Sequence, residues 1–209
     1  MIGGNLWGFL FELSLSPPSL DRFLWLYGFV PYRLWSGEYT VGESLVSIFV
    51  AMFLHGGWLH FGGNMLFLYI FGDNIEDRLG HGRYLIFYLL CGFAASLCHA
   101  FFNPGSRIPS LGASGAISGI LAAYLLLYPR SRILTLVPLL LFFTVEVPAF
   151  LFIVFWFAVQ FFSGTASLAT STPTTGGTAY FAHIGGFIAG VVLLAILKPP
   201  RPRPVADWS

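Results

Sequence analysis

The chain has 209 residues, of which 56% are hydrophobic, 18% aromatic and only 9% charged. A soluble domain carries roughly 25% charged residues, and no soluble fold of this length has interior enough for so much apolar side chain, so lipid must be its solvent. A net charge of +1 with no basic cluster speaks against nucleic acid as a partner, and the length suits one domain of several spans.

Residues 2–15 are apolar but short of the ~20 that cross a bilayer core. They lack the basic leading region and small-residue cleavage site of a signal peptide. The expectation is a first transmembrane helix, shortened at its N-terminus as though upstream sequence were missing, and ended by Ser16-Pro17-Pro18. Residues 19–57 scatter Asp21, Arg22, Arg33, Glu38 and Glu43 among aromatics. That stretch predicts a large interfacial outer loop with short amphipathic pieces.

Residues 58–75 form the second predicted span, closed at the water boundary by Asp73, Glu76, Asp77 and Arg78. Residues 84–102 form the third, ended by the turn signal Asn103-Pro104-Gly105. Its Cys91 and Cys98 stack two turns apart on one face, too far for a mutual disulfide, and read as buried small hydrophobes. Residues 114–128 form an unusually short fourth span, stopped by Pro129-Arg130-Ser131-Arg132. Residues 133–162 are too long for one upright helix. Glu146 and Pro148 divide them into an interfacial or re-entrant piece and a fifth span from about Val147. Residues 163–177 read as an uncharged Ser/Thr/Gly loop, residues 179–197 as the sixth span, and residues 199–209 as a short basic, Pro-rich tail.

The predicted architecture is an all-α integral membrane protein, a single domain over residues 1–198 with six transmembrane helices. With a cytoplasmic N-terminus, the inside carries Arg78, Arg83, Arg130, Arg132, Lys198, Arg201 and Arg203, and the outside Arg22, Arg33 and Arg107. This bias follows the positive-inside rule and puts both termini in the cytoplasm.

Polar and ionisable residues inside a membrane are costly and point to function. His60 and Asn64, spaced i, i+4, project from one face of the second helix. Ser114 opens the fourth helix within Gly112-Ala113-Ser114-Gly115, and His183 lies near the outer end of the sixth. All four arrive at similar depth in the outer leaflet. Gly115 with Gly119, and Gly186 with Gly190, form small-xxx-small faces that let two helices approach closely, bringing the His183 imidazole to the Ser114 hydroxyl. A serine needs such a base to become a nucleophile. At a helix N-terminus, free backbone N–H groups also favour developing negative charge. Alone, Gly-x-Ser-Gly is equally ordinary helix packing, and His60 with Asn64 equally an interhelical tie. His81 and His99 show no polar company, and Glu146 has no evident role.

These motifs resemble the rhomboid intramembrane serine proteases, with residues 21–199 covered. The resemblance rests on His55…His60…Asn64, on Gly112-Ala113-Ser114-Gly115, and on Ala182-His183 followed by Gly186 and Gly190, in that order on the second, fourth and sixth spans. It implies a Ser114–His183 catalytic dyad without a third carboxylate or any cofactor, and an oxyanion site of His60, Asn64 and the Ser114 backbone N–H. His55 would be a structural support of the outer loop. The substrates it implies are single-pass membrane proteins cut in or near their transmembrane segments, in a bacterial inner membrane. Two departures stand out. Ser118 occupies a position where an aromatic stacks on the histidine in some members, so His183 must be oriented from elsewhere. The family's Trp-Arg pair in the outer loop is replaced by the stretch from Gly37-Glu38-Tyr39 to Glu43-Ser44. A zinc site is disfavoured by the lack of His-Glu-x-x-His, and an aspartyl protease by the boundary positions of every aspartate. The competing reading is a non-catalytic rhomboid-like protein that binds client helices.

Overall fold

The computed structural model describes residues 1–37, 39–138, 142–170 and 179–197. The basic tail and Glu38 lie outside the described residues. Helix α1 spans Ile2–Ser14, α2 Pro17–Tyr27, α3 Pro31–Trp35 and α4 Val41–Ala51. Helix α5 (Trp58–Phe67) runs through a π-helical segment, Leu68–Gly72, into α6 (Asp73–Leu79), so the second span carries its acidic end to Leu79 and stops at Gly80, whose φ of 81° suits a glycine cap. Helix α7 covers His81–Phe102, α8 Ser114–Leu127, α9 Ala149–Thr170 and α10 Tyr180–Leu197. Among the described residues α7, α9 and α10 are long and apolar enough to cross a membrane, while α8 is a shorter apolar helix.

Helix α8 is the hub. Every residue from Gly115 to Tyr124 is buried, and a helix apolar all round belongs in a core. Its 14 residues rise about 21 Å, less than a bilayer's ~30 Å core. Packed protein surrounds it, so it need not match the lipid thickness.

The contacts that hold it are backbone-close. A Cβ on Gly186 would overlap the Gly115 carbonyl oxygen, and one on Gly190 would overlap the Gly119 carbonyl. Helix α7 closes the third side with small side chains. A Cβ on Gly115 would lie 2.6 Å from the Ala95 Cβ, one on Gly119 would overlap Cys91 Sγ, and one on Gly185 would overlap Cys98 Cβ. Both cysteines are free; Cys91, Ala95 and Cys98 thus form a small-residue stripe that receives glycines from two helices.

The outer loop is fastened at several points. The Arg33 guanidinium donates to the Trp25 carbonyl at 2.7 Å and the Leu26 carbonyl at 3.3 Å, closing the C-terminal turn of α2. It also sits 4.3 Å from the Trp25 ring and 4.9 Å from the Tyr39 ring. Trp35 Nε1 donates to the Ala100 carbonyl of α7. Thr40 and Glu43 form a reciprocal capping box on α4, and the hydrogen bonds from Thr40 hold the Glu43 carboxyl below the usual carboxylate range.

Several local expectations are sharpened or changed. The interfacial or re-entrant piece expected from residue 133 is a hairpin: β1 (Arg132–Pro138) pairs antiparallel with β2 (Phe142–Pro148), and the helix after it starts at Ala149 rather than about Val147. The many β-branched residues of the hairpin, among them Ile133, Thr135, Thr144, Val145 and Val147, favour a strand over a helix. Glu146 finds its role here, accepting from Arg132 Nη1 at 3.2 Å across the exposed hairpin. The predicted loop from Ser163 is helical as far as Thr170, because Thr165 and Ser167 turn their hydroxyls back onto the Phe162 and Gly164 carbonyls. Residues 171–178 lie outside the described residues. His81 and His99 also have polar partners: His81 Nδ1 lies 2.7 Å from Glu76 Oε1, and His99 Nδ1 3.3 Å from Asn103 Nδ2.

Gly186→Ala is therefore expected to destabilise the protein by about 1–3 kcal/mol, the cost of overpacking, read as a lowered melting temperature in detergent. Gly63→Ala, on an open face of α5 with nothing within 4 Å, is the control and should match or exceed wild type. Equal melting temperatures for the two variants would refute the tight α8–α10 contact.

Candidate active site

Ser114 is the first residue of α8, so the early backbone N–H groups of that helix have no intrahelical acceptor. The approach to it is set by Gly112. Its φ is 110°, a conformation that a side chain rarely adopts. A Cβ there would also lie 2.6 Å from His60 Nε2. Its N–H donates to the Ala51 carbonyl at 2.8 Å. Two rungs join Phe29 and Ser110, at 3.3 and 2.7 Å, and hold the incoming loop against the outer segment. Glycine is thus required at 112 by both backbone geometry and the imidazole beside it.

His183 stands on the first turns of α10 and is 7% exposed. Its Nε2 lies 2.8 Å from Ser114 Oγ, across 69 residues of sequence. Its Nδ1 lies 2.7 Å from Gln160 Oε1 on α9, and the Trp156 ring, one turn before Gln160, sits 5.6 Å away at a 38° tilt. Ser118 does not reach the imidazole; its hydroxyl donates to the Ser114 carbonyl at 2.7 Å. The orientation of His183 therefore comes from α9.

His60 and Asn64 face the same spot from α5. The Gly56 N–H donates to His60 Nδ1 at 3.4 Å, which places the ring proton on Nε2, the nitrogen next to Gly112. Asn64 is buried and its Nδ2 donates to the His60 carbonyl at 2.9 Å, leaving a second N–H. That amide nitrogen lies 3.7 Å from where a Gly112 Cβ would stand. His60 is exposed and Ser114 half-buried, so the site is open on the α5 side. Two N–H donors, a helix start and a hydroxyl–imidazole pair can serve acyl transfer: attack on a carbonyl, with the developing oxyanion met by donors.

His55 packs behind His60 and, among the described residues, forms no hydrogen bond with Ser114 or His183. It is 2% exposed, with ring centroids 5.3 Å from His60 and Phe61 and 6.3 Å from Phe9. Burial first, then the neighbouring His60, push its imidazole down to about 4, so it is neutral and acts as an aromatic spacer.

Two side chains that serve the site belong to none of the sequence motifs. Glu12 of α1 is 2% exposed, and both its carboxyl oxygens accept from the His55 backbone N–H, at 2.9 and 3.1 Å. Phe9, one turn earlier, stacks on Phe61 at 4.3 Å and meets Trp58 edge-on at 5.0 Å. The first helix thereby grips the loop that leads into α5 and His60. Gln160 is the other. Glu12 is the one charge in residues 2–15 and Gln160 the one amide, hydroxyl or charge in residues 149–162, which is the signal by which either can be found.

The family model described as the rhomboid domain matches residues 42–200. The chain belongs to the rhomboid family. This rhomboid is similar to the mitochondrial rhomboid protein 1 of Saccharomyces cerevisiae, 31% identical over 165 residues, or 77% of the chain and 44% of the yeast protein. It is also similar to the mitochondrial RHOMBOID-like protein 6 of Arabidopsis thaliana, 33% identical over 168 residues, or 80% of the chain and 48% of that protein. The rhomboid protease GluP of Bacillus subtilis shares 43% identity over 72 residues, 34% of the chain and 14% of GluP. The chain therefore spans less than half the length of these relatives. It is an integral membrane protein, and its relatives include named proteases.

If Glu12 anchors the loop, Glu12→Leu leaves the buried His55 N–H without its acceptor, at a cost of about 1–3 kcal/mol. The melting temperature in detergent should fall, and Glu12→Gln, which keeps an acceptor oxygen, should restore most of the loss. A Leu variant as stable as wild type would show that the hydrogen bond contributes nothing.

Proposed function

We propose that this rhomboid is an intramembrane serine endopeptidase in which Ser114 is the nucleophile and His183 its general base. The observation that supports this most strongly is the 2.8 Å hydrogen bond between His183 Nε2 and Ser114 Oγ, two groups that lipid-embedded helices have no reason to bury together for packing alone. Ser114 Oγ attacks the scissile carbonyl as its proton passes to His183 Nε2. The tetrahedral oxyanion is held by the Ser114 backbone N–H, His60 Nε2–H and the Asn64 amide. His183 then protonates the leaving amine, and an acyl-enzyme remains on Ser114. Water entering from the open α5 side repeats the sequence and releases the acid.

The substrates that this reading implies are single-pass membrane proteins, locally unwound so that a peptide bond reaches Ser114, with small residues at the cut. The excess of basic residues at the end of the bundle away from Ser114 favours a cytoplasmic location for both termini, with the site toward the outer leaflet. A bacterial inner membrane is the home we infer from the small size of the bundle and its family pattern, although the relatives include mitochondrial as well as bacterial proteins. A non-catalytic client-binding role is less well supported, because both nucleophile and base are present and in contact.

Ser114→Ala and His183→Ala are each expected to abolish cleavage of a reporter membrane substrate in proteoliposomes while the protein remains folded. Residual cleavage well above background in either variant would end the dyad assignment. Replacing His60 or Asn64 by Ala should slow cleavage roughly 10- to 1000-fold, the scale of an oxyanion donor; a change below twofold would reduce them to structural residues.

A further inference from the structure

We propose that Gln160 is the positioning residue of this site: its Oε1 accepts the Nδ1–H of His183 and so keeps the Nε2 lone pair free for the Ser114 hydroxyl. The inference rests on the Ser114–His183 reading and adds a third member to it, an amide where soluble serine proteases use a carboxylate.

Gln160 is 8% exposed, within an α9 run in which residues 149–162 hold no other amide, hydroxyl or charged side chain. A polar amide buried in lipid-embedded protein is costly unless it is hydrogen-bonded, and the contact it makes is to His183 Nδ1 at 2.7 Å. Ile153 and Trp156, seven and four residues earlier, turn the same face inward: Ile153 is fully buried and Trp156 lies against the His183 ring. The amide therefore arrives by the normal packing of α9, in line with Nδ1.

The direction of that hydrogen bond decides whether His183 can act as a base. A neutral imidazole carries one proton. If Nδ1 holds it and donates to Gln160 Oε1, then Nε2 accepts from Ser114 Oγ at 2.8 Å. If Nδ1 instead accepted, Nε2 would carry the proton toward Ser114 and the serine could not be activated. Among the described residues no other side chain bonds to Nδ1, and the Ser118 hydroxyl is spent on the Ser114 carbonyl. The titratable groups facing His183 are His60 from α5 and His99 from α7, neither of which bonds to Nδ1. A neutral amide also suits this setting, because it fixes the tautomer without burying an anion in the bundle.

The test compares Gln160→Met, which keeps length and volume but loses the acceptor, with Gln160→Glu, which keeps an acceptor oxygen, by steady-state cleavage in proteoliposomes. Gln160→Met should lower kcat roughly 100- to 1000-fold, within the span of general-base contributions. Its KM should stay within twofold, and its melting temperature should fall only modestly, because the buried His183 Nδ1–H loses its acceptor. Gln160→Glu should recover kcat to within tenfold of wild type. A Met variant within twofold of wild-type kcat, or a Glu variant as impaired as a folded Met variant, would overturn the proposal. If Gln160→Met does not fold, Gln160→Glu alone decides, with kcat within tenfold of wild type in favour and a larger loss against. Ser114→Ala, run alongside, separates the two readings. If it is dead while Gln160→Met is unimpaired, only this inference falls; if Ser114→Ala also cleaves, the dyad itself falls.

Discussion

The structure depends on the near-contact of two helix backbones. Where α10 crosses α8, Gly186 lies over the Gly115 carbonyl and Gly190 over the Gly119 carbonyl, with no space for a methyl group at either. In lipid, burying apolar surface against a neighbour yields little, because the acyl chains are as apolar as leucine, so association relies on close packing and on polar contacts. This crossing uses both. The glycines permit the approach, and the hydroxyl and imidazole one to two turns up from it meet at hydrogen-bond distance. Packing and chemistry are thus one feature.

The second requirement is that the proposed oxyanion donors, His60 and Asn64, arrive from a different helix. Helix α5 begins at a short loop, residues 52–57, that would be loose on its own. Helix α1 removes that freedom: Gly8 lets it approach the Phe53 carbonyl, where a Cβ would stand 2.6 Å away, Phe9 fills the space between Trp58 and Phe61, and Glu12 holds the His55 N–H. The outer segment holds the other approach to the site, tied to residues 106–110 by the Phe29–Ser110 pair and by the Tyr32 N–H to the Ser106 carbonyl. A long membrane-associated outer region therefore has a mechanical reason to exist: it fixes the strand of chain that enters the site at Gly112.

Much of this is legible in the sequence, for physical reasons. The start of α8 at Ser114 coincides with a change from a polar loop to an apolar run, and α10 begins within a residue of its expected start at 179. The i, i+4 spacings of His60 with Asn64, and of Gly115 with Gly119, assign each pair to one helix face by the helical repeat alone. The hairpin at residues 132–148 is not legible as such, because hydropathy measures burial in lipid and is blind to whether the backbone bonds within a segment or across two. Helix α9 runs eight residues past its expected end at 162. Ser163, Gly164, Thr165 and Ser167 look like a loop by composition, whereas hydroxyls that bond to the preceding turn are tolerated in an apolar helix. Glu12 and Gln160 belong to no motif. Only the packing shows that each polar atom faces a partner.

The central claim, that the helix crossing makes Ser114 a nucleophile, is tested most directly by covalent chemistry that needs no substrate. The purified protein, reconstituted in liposomes, is treated with a fluorophosphonate probe and the modified residue located by peptide mass spectrometry. The account predicts a single phosphonyl adduct on Ser114 that disappears when His183 is replaced by alanine. An unmodified Ser114, or labelling of Ser114 that persists undiminished without His183, would contradict it.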